Sequence, residues 1–341
     1  MPFVLSVKDA YRQAVEAATG GKNTVMYDDK GIPSIMVWHP RHNISDVITG
    51  EPNTPHPAFI VNGVVRDGIW VSKFPNVIHD GRAYSLPGQD PANSINWDNA
   101  KAACEAKGKG WHMLSNAEWA SVSLWSKKNG TMPRGNNDYG KDKSAPHERG
   151  RVTYKYTSNQ IEYDGRTATG SGPASWSHDG TNEGIFDLNG NVWEWVDGIR
   201  IEEGKIYVHQ DNNFQTPKDD LAQWLDTGVF FDVEGGNLVL NNARTTVMNE
   251  GTSESKSRTF ESLVGAAGFQ IPALMKHLAI APIDANHGGD YIYNRNYGSR
   301  FVYRGGNWRN GSTAGVFAFN SLNPRSYVDA YFGFRSAYVS L

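Results

Sequence analysis

Two short motifs near the C-terminus, Arg304-Gly-Gly-Asn-Trp308 and Gly333-Phe-Arg-Ser-Ala337, enclose a segment of restricted composition. From Arg309 to Leu341 the chain contains no Lys, Glu, Gln, Met or Trp. A codon that ends in C or U cannot encode any of these amino acids. Asn codons that are randomised at their adenines would therefore exclude them and would favour Asn, Ser, Tyr, Asp, Arg, Phe and Thr.

The favoured amino acids are the ones that stand between the two motifs, which predicts a variable segment at about residues 304–337. The alternative is that a short tail has this composition by chance. On the first interpretation, the predicted ligand-binding residues are Asn307, Arg309, Asn310, Thr313, Phe319, Asn320, Ser321, Asn323, Tyr327, Asp329 and Tyr331.

Three further motifs precede this segment, and each has a physical interpretation that concerns packing. They are Ile95-Asn-Trp-Asp-Asn-Ala100, Gly110-Trp-His-Met-Leu-Ser-Asn-Ala-Glu-Trp119 and Leu188-Asn-Gly-Asn-Val-Trp-Glu-Trp195. The Asn-Gly-Asn sequence in the third motif predicts a tight turn that tolerates positive φ. In these motifs glycines allow close approach of the backbone, tryptophans supply bulk to the core, and buried arginines donate hydrogen bonds. Structural roles are therefore predicted for Trp193, Trp195, Arg304, Gly305, Gly306, Trp308, Gly333 and Arg335.

The motifs, taken in their order along the chain, resemble the formylglycine-generating-enzyme type of C-type lectin fold. The resemblance implies an α+β lectin-like domain at 65–341 with an insertion at about 199–300, preceded by a helix and hairpin region at 1–64. The oxidases of this family carry two cysteines shortly after the Arg-Gly-Gly motif. The corresponding stretch here, residues 309–317, has none, and the helical domain of the related iron-dependent sulfoxide synthases is also absent.

The chain is also similar to the variable proteins of diversity-generating retroelements, in which adenine-specific mutagenesis rewrites the C-terminal part of a lectin fold. This resemblance implies a binding protein, not an enzyme, with a protein or glycan ligand on a bacterial surface. In an extended chain Tyr327, Asp329 and Tyr331 would face outward, while Val328, Ala330 and Phe332 would face the core. Tyr, Ser and Asn are well suited to such a surface.

Two alternatives to a variable binding protein remain. One is an enzyme of the formylglycine-generating type with altered chemistry, for which Asp187, Glu194 and His178 could supply carboxylates and an imidazole. The other is an invariant structural protein of a virion. We expect a phage tail protein that forms homo-oligomers, because weak single sites gain from avidity.

Composition excludes several other classes of protein. A net charge of −3 over 341 residues gives no basic field for nucleic-acid phosphates. The sequence has no long apolar run that predicts a membrane span and no signal-like N-terminus, which indicates a virion or, failing that, a cytoplasmic location. Its single cysteine, Cys104, is predicted to be a core residue on a helix.

Local patterns predict the main elements. A helix should follow a capping box at Ser6, a hairpin should cover residues 24–38 and a strand should cover 68–74. Further helices are predicted at 97–107, capped by Asn96, and from a Ser115/Glu118 capping box to about residue 129. Within the insertion, residues 219–225 and 262–278 are also predicted to be helical.

The sequence indicates no cofactor apart from a candidate structural calcium. In the enzyme branch of the family, the turn that matches residues 188–194 helps to hold calcium, and the positions carried over are Asn191 and Glu194. The alternative is that Asn191 closes the turn while Glu194 pairs with an arginine such as Arg335. The histidines at 39, 42 and 56 fit no standard metal spacing.

Overall fold

The computed structural model describes residues 9–341 of the chain. The predicted cap at Ser6 lies outside these residues, and the first helix begins after Asp9, whose side chain accepts a hydrogen bond from the Arg12 amide. The helices are α1 (Ala10–Ala18), α2 (Ile44–Val47), α3 (Trp97–Glu105), α4 (Asn116–Asn129) and α5 (Ala273–His277).

The strands outnumber the helices, and most of them pair antiparallel. They are β1 (Asn23–Tyr27), β2 (Pro33–Pro40), β3 (Ile60–Val61), β4 (Val64–Val65), β5 (Gly68–Ser72), β6 (Val77–His79), β7 (Arg82–Tyr84), β8 (Trp111–Met113), β9 (Lys155–Ser158), β10 (Ile161–Asp164), β11 (Trp193–Glu202), β12 (Lys205–Val208), β13 (Leu225–Glu234), β14 (Asn237–Asn241), β15 (Lys256–Thr259), β16 (Tyr291–Asn294), β17 (Ser299–Gly305), β18 (Gly315–Ser321), β19 (Phe332–Phe334) and β20 (Ser336–Tyr338). The predicted α+β class is confirmed.

A five-stranded sheet joins the two ends of the described chain. Its order is β1-β2-β5-β20-β8, so the predicted N-terminal hairpin pairs with β5 and the last strand lies between β5 and β8. The hairpin is therefore part of the same sheet as the C-terminus. The expected boundary at residues 64 and 65 falls within β4.

A nine-stranded sheet carries the C-terminal motifs. Its order is β14-β13-β12-β11-β17-β18-β16-β15, and β19 pairs parallel with β11. Residues 199–300, expected as an insertion, supply β12 to β16 and the end of β11. They extend the sheet on both sides of the β11-β17-β18 core.

The two best-defined predicted helices are confirmed, together with their caps. The Asn96 side chain accepts from the Asn99 amide at 2.9 Å and starts α3. Ser115 and Glu118 form the reciprocal capping box of α4, which ends at Gly130 in the left-handed conformation. These signals are local, so they act before tertiary contacts can override them.

The helices predicted within the insertion are confirmed only over short segments. Residues 221–223 form a single 3-10 turn and are followed directly by β13, in which part of one face is exposed. Between 262 and 278 only α5 is helical. Gly265, Gly268 and Pro272 interrupt the apolar pattern there, and glycine and proline oppose helix propagation.

Candidate functional site

Two loops contain most of the residues predicted to contact a ligand. Loop A, residues 306–314, joins β17 to β18, and loop B, residues 322–331, leads from β18 to β19. Because β19 pairs with the start of β11, loop B runs back along the sheet and ends beside loop A. One surface therefore contains side chains from both loops.

Direct contacts join the two loops at Tyr331. The Arg309 guanidinium lies over the Tyr331 ring, 4.3 Å from its centroid. The same ring also packs against Trp308, with 5.2 Å between the two ring centroids. Arg309 is exposed, whereas Tyr331 is half-buried and Trp308 is 1% exposed. The pair thus places a cation and an aromatic ring at the surface above a buried indole.

Loop B rests on aromatic side chains of the sheet. Tyr327 packs against the buried Phe332 with 5.3 Å between ring centroids, and its hydroxyl donates to Asp329 Oδ2 at 3.0 Å. Asn323 donates its amide to the hydroxyl of buried Tyr303 at 2.9 Å. Partial burial raises the pKa of both Tyr327 and Tyr331, so both remain neutral donors near pH 7.

Residues outside loop B hold its main chain in place by donating hydrogen bonds to its carbonyl groups. Amides of the surrounding framework donate to the carbonyl oxygens of Asn323, Arg325, Asp329 and Tyr331, at 2.7 to 3.0 Å; the donors are Phe301, Trp97, Ser94 and Trp193 respectively. The Arg166 side chain, itself bound to Asp90, donates to the Ala330 carbonyl at 3.0 Å.

The bonds that hold loop B do not depend on the identity of its side chains. Every residue presents the same carbonyl group, so substitutions along loop B leave these acceptors in place. Loop A has a similar anchor at each side, because the Trp308 carbonyl accepts from the Tyr139 amide and the Gly311 amide donates to the Asn137 carbonyl.

Four of the predicted ligand-binding residues lie in the interior, which corrects the sequence-based assignment. Phe319 and Ser321 are fully buried in β18, a strand in which every residue is buried because it lies between β16 and β17. Asn320 is 7% exposed and Asn307 is 3% exposed. The Asn307 side chain closes its own loop by accepting from the Arg309 amide at 3.0 Å.

The predicted alternation of exposed and buried residues along loop B is also wrong. Val328, expected inside, is 50% exposed, whereas Tyr327, Asp329 and Tyr331 are only half-buried. The rule fails because loop B turns at residues 325–326 and 330–331 and is not an extended strand. Phe332, where β19 begins, is buried as expected.

Residues with exposed side chains that sequence reasoning missed include Val328 and Ser312. Arg325 was also missed, and it forms ion pairs with Asp219 at 2.5 Å and Asp98 at 3.3 Å. The charged surface beside loop B therefore extends onto the segment before β13. An arginine among Asn, Ser and Tyr was available as a signal, but its acidic partners are distant in sequence.

The framework residues behave as predicted. Trp193, Trp195 and Trp308 are between 0% and 4% exposed, and both Trp193 and Trp195 contact Tyr303 edge to face at 5.0 to 5.2 Å. Glu194 points to the opposite side, where Arg335 donates two hydrogen bonds to its carboxylate, of 2.5 and 2.6 Å. Arg335 also donates to two main-chain carbonyls.

The glycines of the motifs are required by close approach. At Gly306, with φ of 87°, an added Cβ would lie 2.4 Å from the Ala314 side chain. At Gly333 it would lie 2.6 Å from the Ala92 carbonyl. Gly305 has φ of 90° and Gly190 has φ of 78°, which confirms the predicted turn chemistry. Arg304 is fully buried and donates to the Ala279 carbonyl.

The two candidate calcium ligands already have protein partners. The Asn191 side chain exchanges two hydrogen bonds with the Thr167 main chain, at 2.9 and 3.0 Å, and its φ is 59°. Glu194 is engaged by Arg335. The geometry therefore matches the alternative interpretation, a turn and an ion pair, in which the side-chain oxygens of both residues are engaged by protein donors. Within residues 9–341 no group of three or more His, Cys, Asp or Glu residues is arranged to hold a metal ion.

The residues considered for an enzyme lie in the interior. Asp187 and Glu194 are each 1% exposed and His178 is 5% exposed. Burial raises the pKa of Asp187 to about 6 and lowers that of His178 to about 4. No helix in the described part of the chain is long and apolar enough to cross a membrane.

Solved structures with similar architecture include three proteins of low sequence identity. PvdO from Pseudomonas aeruginosa is 13% identical with a TM-score of 0.38 and covers 93% of this chain and 98% of its own. Treponema denticola variable protein 1 has the same identity and coverage with a TM-score of 0.33. The U1 variant of the Major Tropism Determinant is 10% identical with a TM-score of 0.31, covering 93% of this chain and 71% of its own.

No curated protein matches the sequence of this chain. The family model described as a sulfatase-modifying factor enzyme 1-like domain matches residues 76–339, which include all the motifs discussed above. Because that match spans most of the 341 residues, the chain belongs to the sulfatase-modifying factor enzyme 1-like family.

Proposed function

We propose that this protein is a receptor-binding protein whose ligand contacts the side chains of loops A and B. The binding surface comprises the predicted residues that reach the surface and the exposed residues added by the structure. These are Arg309, Asn310, Ser312, Thr313, Asn323, Arg325, Tyr327, Val328, Asp329 and Tyr331.

The observation that carries this proposal is the way in which loop B is anchored. Its carbonyl groups accept hydrogen bonds from the framework, so its path is fixed independently of most of its side chains. A segment rewritten by adenine-directed mutagenesis needs this property, because each new sequence must still fold. The restricted composition of residues 309–341 supports the same interpretation.

The chemistry of the surface suits a macromolecular ligand. Tyr327 and Tyr331 offer aromatic area with few rotatable bonds, while Asn323 and Asp329 offer adaptable hydrogen bonds. Arg309 is held over Tyr331, so it loses little side-chain entropy on binding. The ligand class proposed is a protein or glycan on a bacterial surface, met by a phage tail that carries several copies of this chain.

An enzymatic role is less well supported, although the family includes enzymes by its description. The stretch where family oxidases carry two cysteines is loop A and the start of β18, and it contains none. Cys104 is buried, and burial raises the pKa of its thiol, which disfavours the reactive thiolate. The acidic residues considered for catalysis are enclosed and include one member of the Glu194–Arg335 pair.

Sequencing of the gene and its surroundings in related isolates tests the proposal. We expect a reverse-transcriptase gene nearby and a second copy of the 3′ end that differs at adenines. Among isolates, substitutions should concentrate at exposed positions of loops A and B and spare Trp308 and Phe319. Residues 97–129 serve as an internal control, equal in length to residues 309–341. Substitutions spread evenly over both segments would overturn the proposal.

A further inference from the structure

A cavity of about 230 Å³ opens beside loop A. Ser312, Ala314 and Val316 form the wall that belongs to loop A and β18, and Met132 adds apolar surface opposite. Asp290, the residue before β16, also lines the cavity although it is only 5% exposed. The cavity thus adjoins the proposed binding surface, since Ser312 belongs to both, and a buried carboxyl group forms part of its wall.

The carboxyl group of Asp290 is only half satisfied by the protein. Its Oδ2 accepts from the Phe317 amide at 2.7 Å. Its Oδ1 lies against the backbone of Gly315, where an added Cβ would be 2.0 Å away, so a side chain there would displace the carboxyl. Among the residues that the structure describes, we find no basic side chain in salt-bridge contact with Asp290.

Asp290 lies near two other ionisable side chains, those of Glu261 and Arg304. Glu261 lies near enough to disfavour ionisation of Asp290, and its own Oε2 is buried without a hydrogen-bond partner. Arg304 favours ionisation from the other side but makes a single bond, to the Ala279 carbonyl. Burial is the main cause that holds the pKa of Asp290 well above its usual value.

The basic residues that line the cavity are paired with other carboxylates and not with Asp290. Arg134 makes two hydrogen bonds to Glu148, at 2.5 and 2.9 Å. Lys143 reaches Asp138 at 3.9 Å. Each already lies beside a carboxylate of its own, so neither is needed to neutralise Asp290.

We propose that this cavity receives a primary ammonium group of the ligand, with Asp290 as its counter-ion. The inference rests on the proposed function, because it treats the cavity as a subsite of the surface formed by loops A and B. A lysine side chain on a receptor protein and an amino sugar on a glycan both carry this group. On binding, the ammonium donates a hydrogen bond to Asp290 Oδ1, the carboxyl oxygen that the Phe317 amide leaves free.

Titration of the full-length protein with small amines tests the inference. The probes are n-butylamine, which stands for a lysine side chain, and D-glucosamine, which stands for an amino sugar. Their neutral counterparts are n-butanol and D-glucose, and sodium chloride at equal ionic strength controls for simple cations. Calorimetry should detect binding of at least one amine.

Two variants locate the site. Asp290→Asn keeps the size of the side chain and removes its charge, and it should weaken amine binding at least about tenfold. Ser312→Trp adds bulk at the exposed mouth and leaves Asp290 untouched, so it should have the same effect on a protein whose folding is not in question. Circular dichroism checks that the first variant is folded.

The outcomes separate the two sources of the ammonium group. Binding of n-butylamine identifies a lysine-like ligand, and binding of D-glucosamine alone identifies an amino sugar. The inference is overturned when neither amine binds at millimolar concentration, when the neutral compounds or sodium act equally, or when both variants bind as tightly as the original protein. Failure here leaves the sequencing test of the proposed function unaffected, so the two can be distinguished.

Discussion

The Glu194–Arg335 pair and loop B show two opposite uses of side chain and main chain. Inside the framework, Arg335 uses its side chain to bind Glu194 and the carbonyls of Ser72 and Phe186. In loop B it is the main chain that is bound, at carbonyls such as that of Asp329, while the side chains turn to the surface. The identity of the side chain is therefore essential in the framework, whereas it does not determine the path of loop B.

This difference explains how the two regions can be adjacent in sequence. Trp308 and Arg309 are neighbours, yet the indole is 1% exposed and the guanidinium lies at the surface. Gly306, which tolerates positive φ, turns the chain so that Trp308 enters the core. A boundary between buried framework and exposed binding surface can therefore fall between two consecutive residues.

The largest expected effect comes from breaking the buried ion pair. Arg335→Met leaves the Glu194 carboxylate without its partner in the interior, and we expect a loss of about 3–5 kcal/mol in the free energy of unfolding. Urea denaturation at pH 7 measures it. The double variant Glu194→Leu/Arg335→Met is the control and should recover much of the loss, because no charge is left buried. A single variant that unfolds like the original protein would contradict the role assigned to the pair.

The framework was predictable because its signals are short and strong. The Ser115/Glu118 capping box and the alternation of Trp193, Glu194 and Trp195 each specify a local geometry, and the structure follows them. Asn191 and its positive φ were likewise inferred from the turn sequence. In each case the nearest residues in the chain determine the outcome.

The candidate site was only partly predictable. Restricted composition located the segment but could not separate exposed from buried members, since Phe319 and Ser321 belong to the same set of amino acids as Tyr327. Their burial follows from the position of β18 between two other strands, which is a tertiary property. The exposure of Val328 likewise depends on turns whose anchors come from distant framework residues.

A smaller loss in the free energy of unfolding should come from the pH dependence of a buried histidine in the framework. His56 is fully buried, and desolvation lowers the pKa of its imidazole from 6.5 to about 3. A histidine with a depressed pKa stabilises the folded state above pH 6.5, and this stability is lost as the pH falls, because the unfolded chain takes up the proton first. The expected slope is about 1.4 kcal/mol per pH unit for this residue.

The measurement compares urea unfolding of the original protein and of His56→Gln from pH 7 to pH 5. Other groups titrate in the same range, including Asp187, whose raised pKa of about 6 acts in the opposite direction. They are present in both proteins, so the difference between the two curves isolates His56. Parallel curves would show that His56 is charged in neither or in both states.

The smallest change in the free energy of unfolding is expected for substitutions of exposed side chains in loops A and B. Val328 is 50% exposed and Arg309 is exposed above Tyr331, so neither Val328→Ser nor Arg309→Ala removes a main-chain anchor. Each should change the free energy of unfolding by less than about 0.5 kcal/mol. The matched comparison is Trp308→Ala, next to Arg309 in the chain, which removes a buried indole. If the two loop variants lost stability on the scale of Trp308→Ala, the side chains of the loops would be part of the framework, and free substitution there would be incompatible with folding.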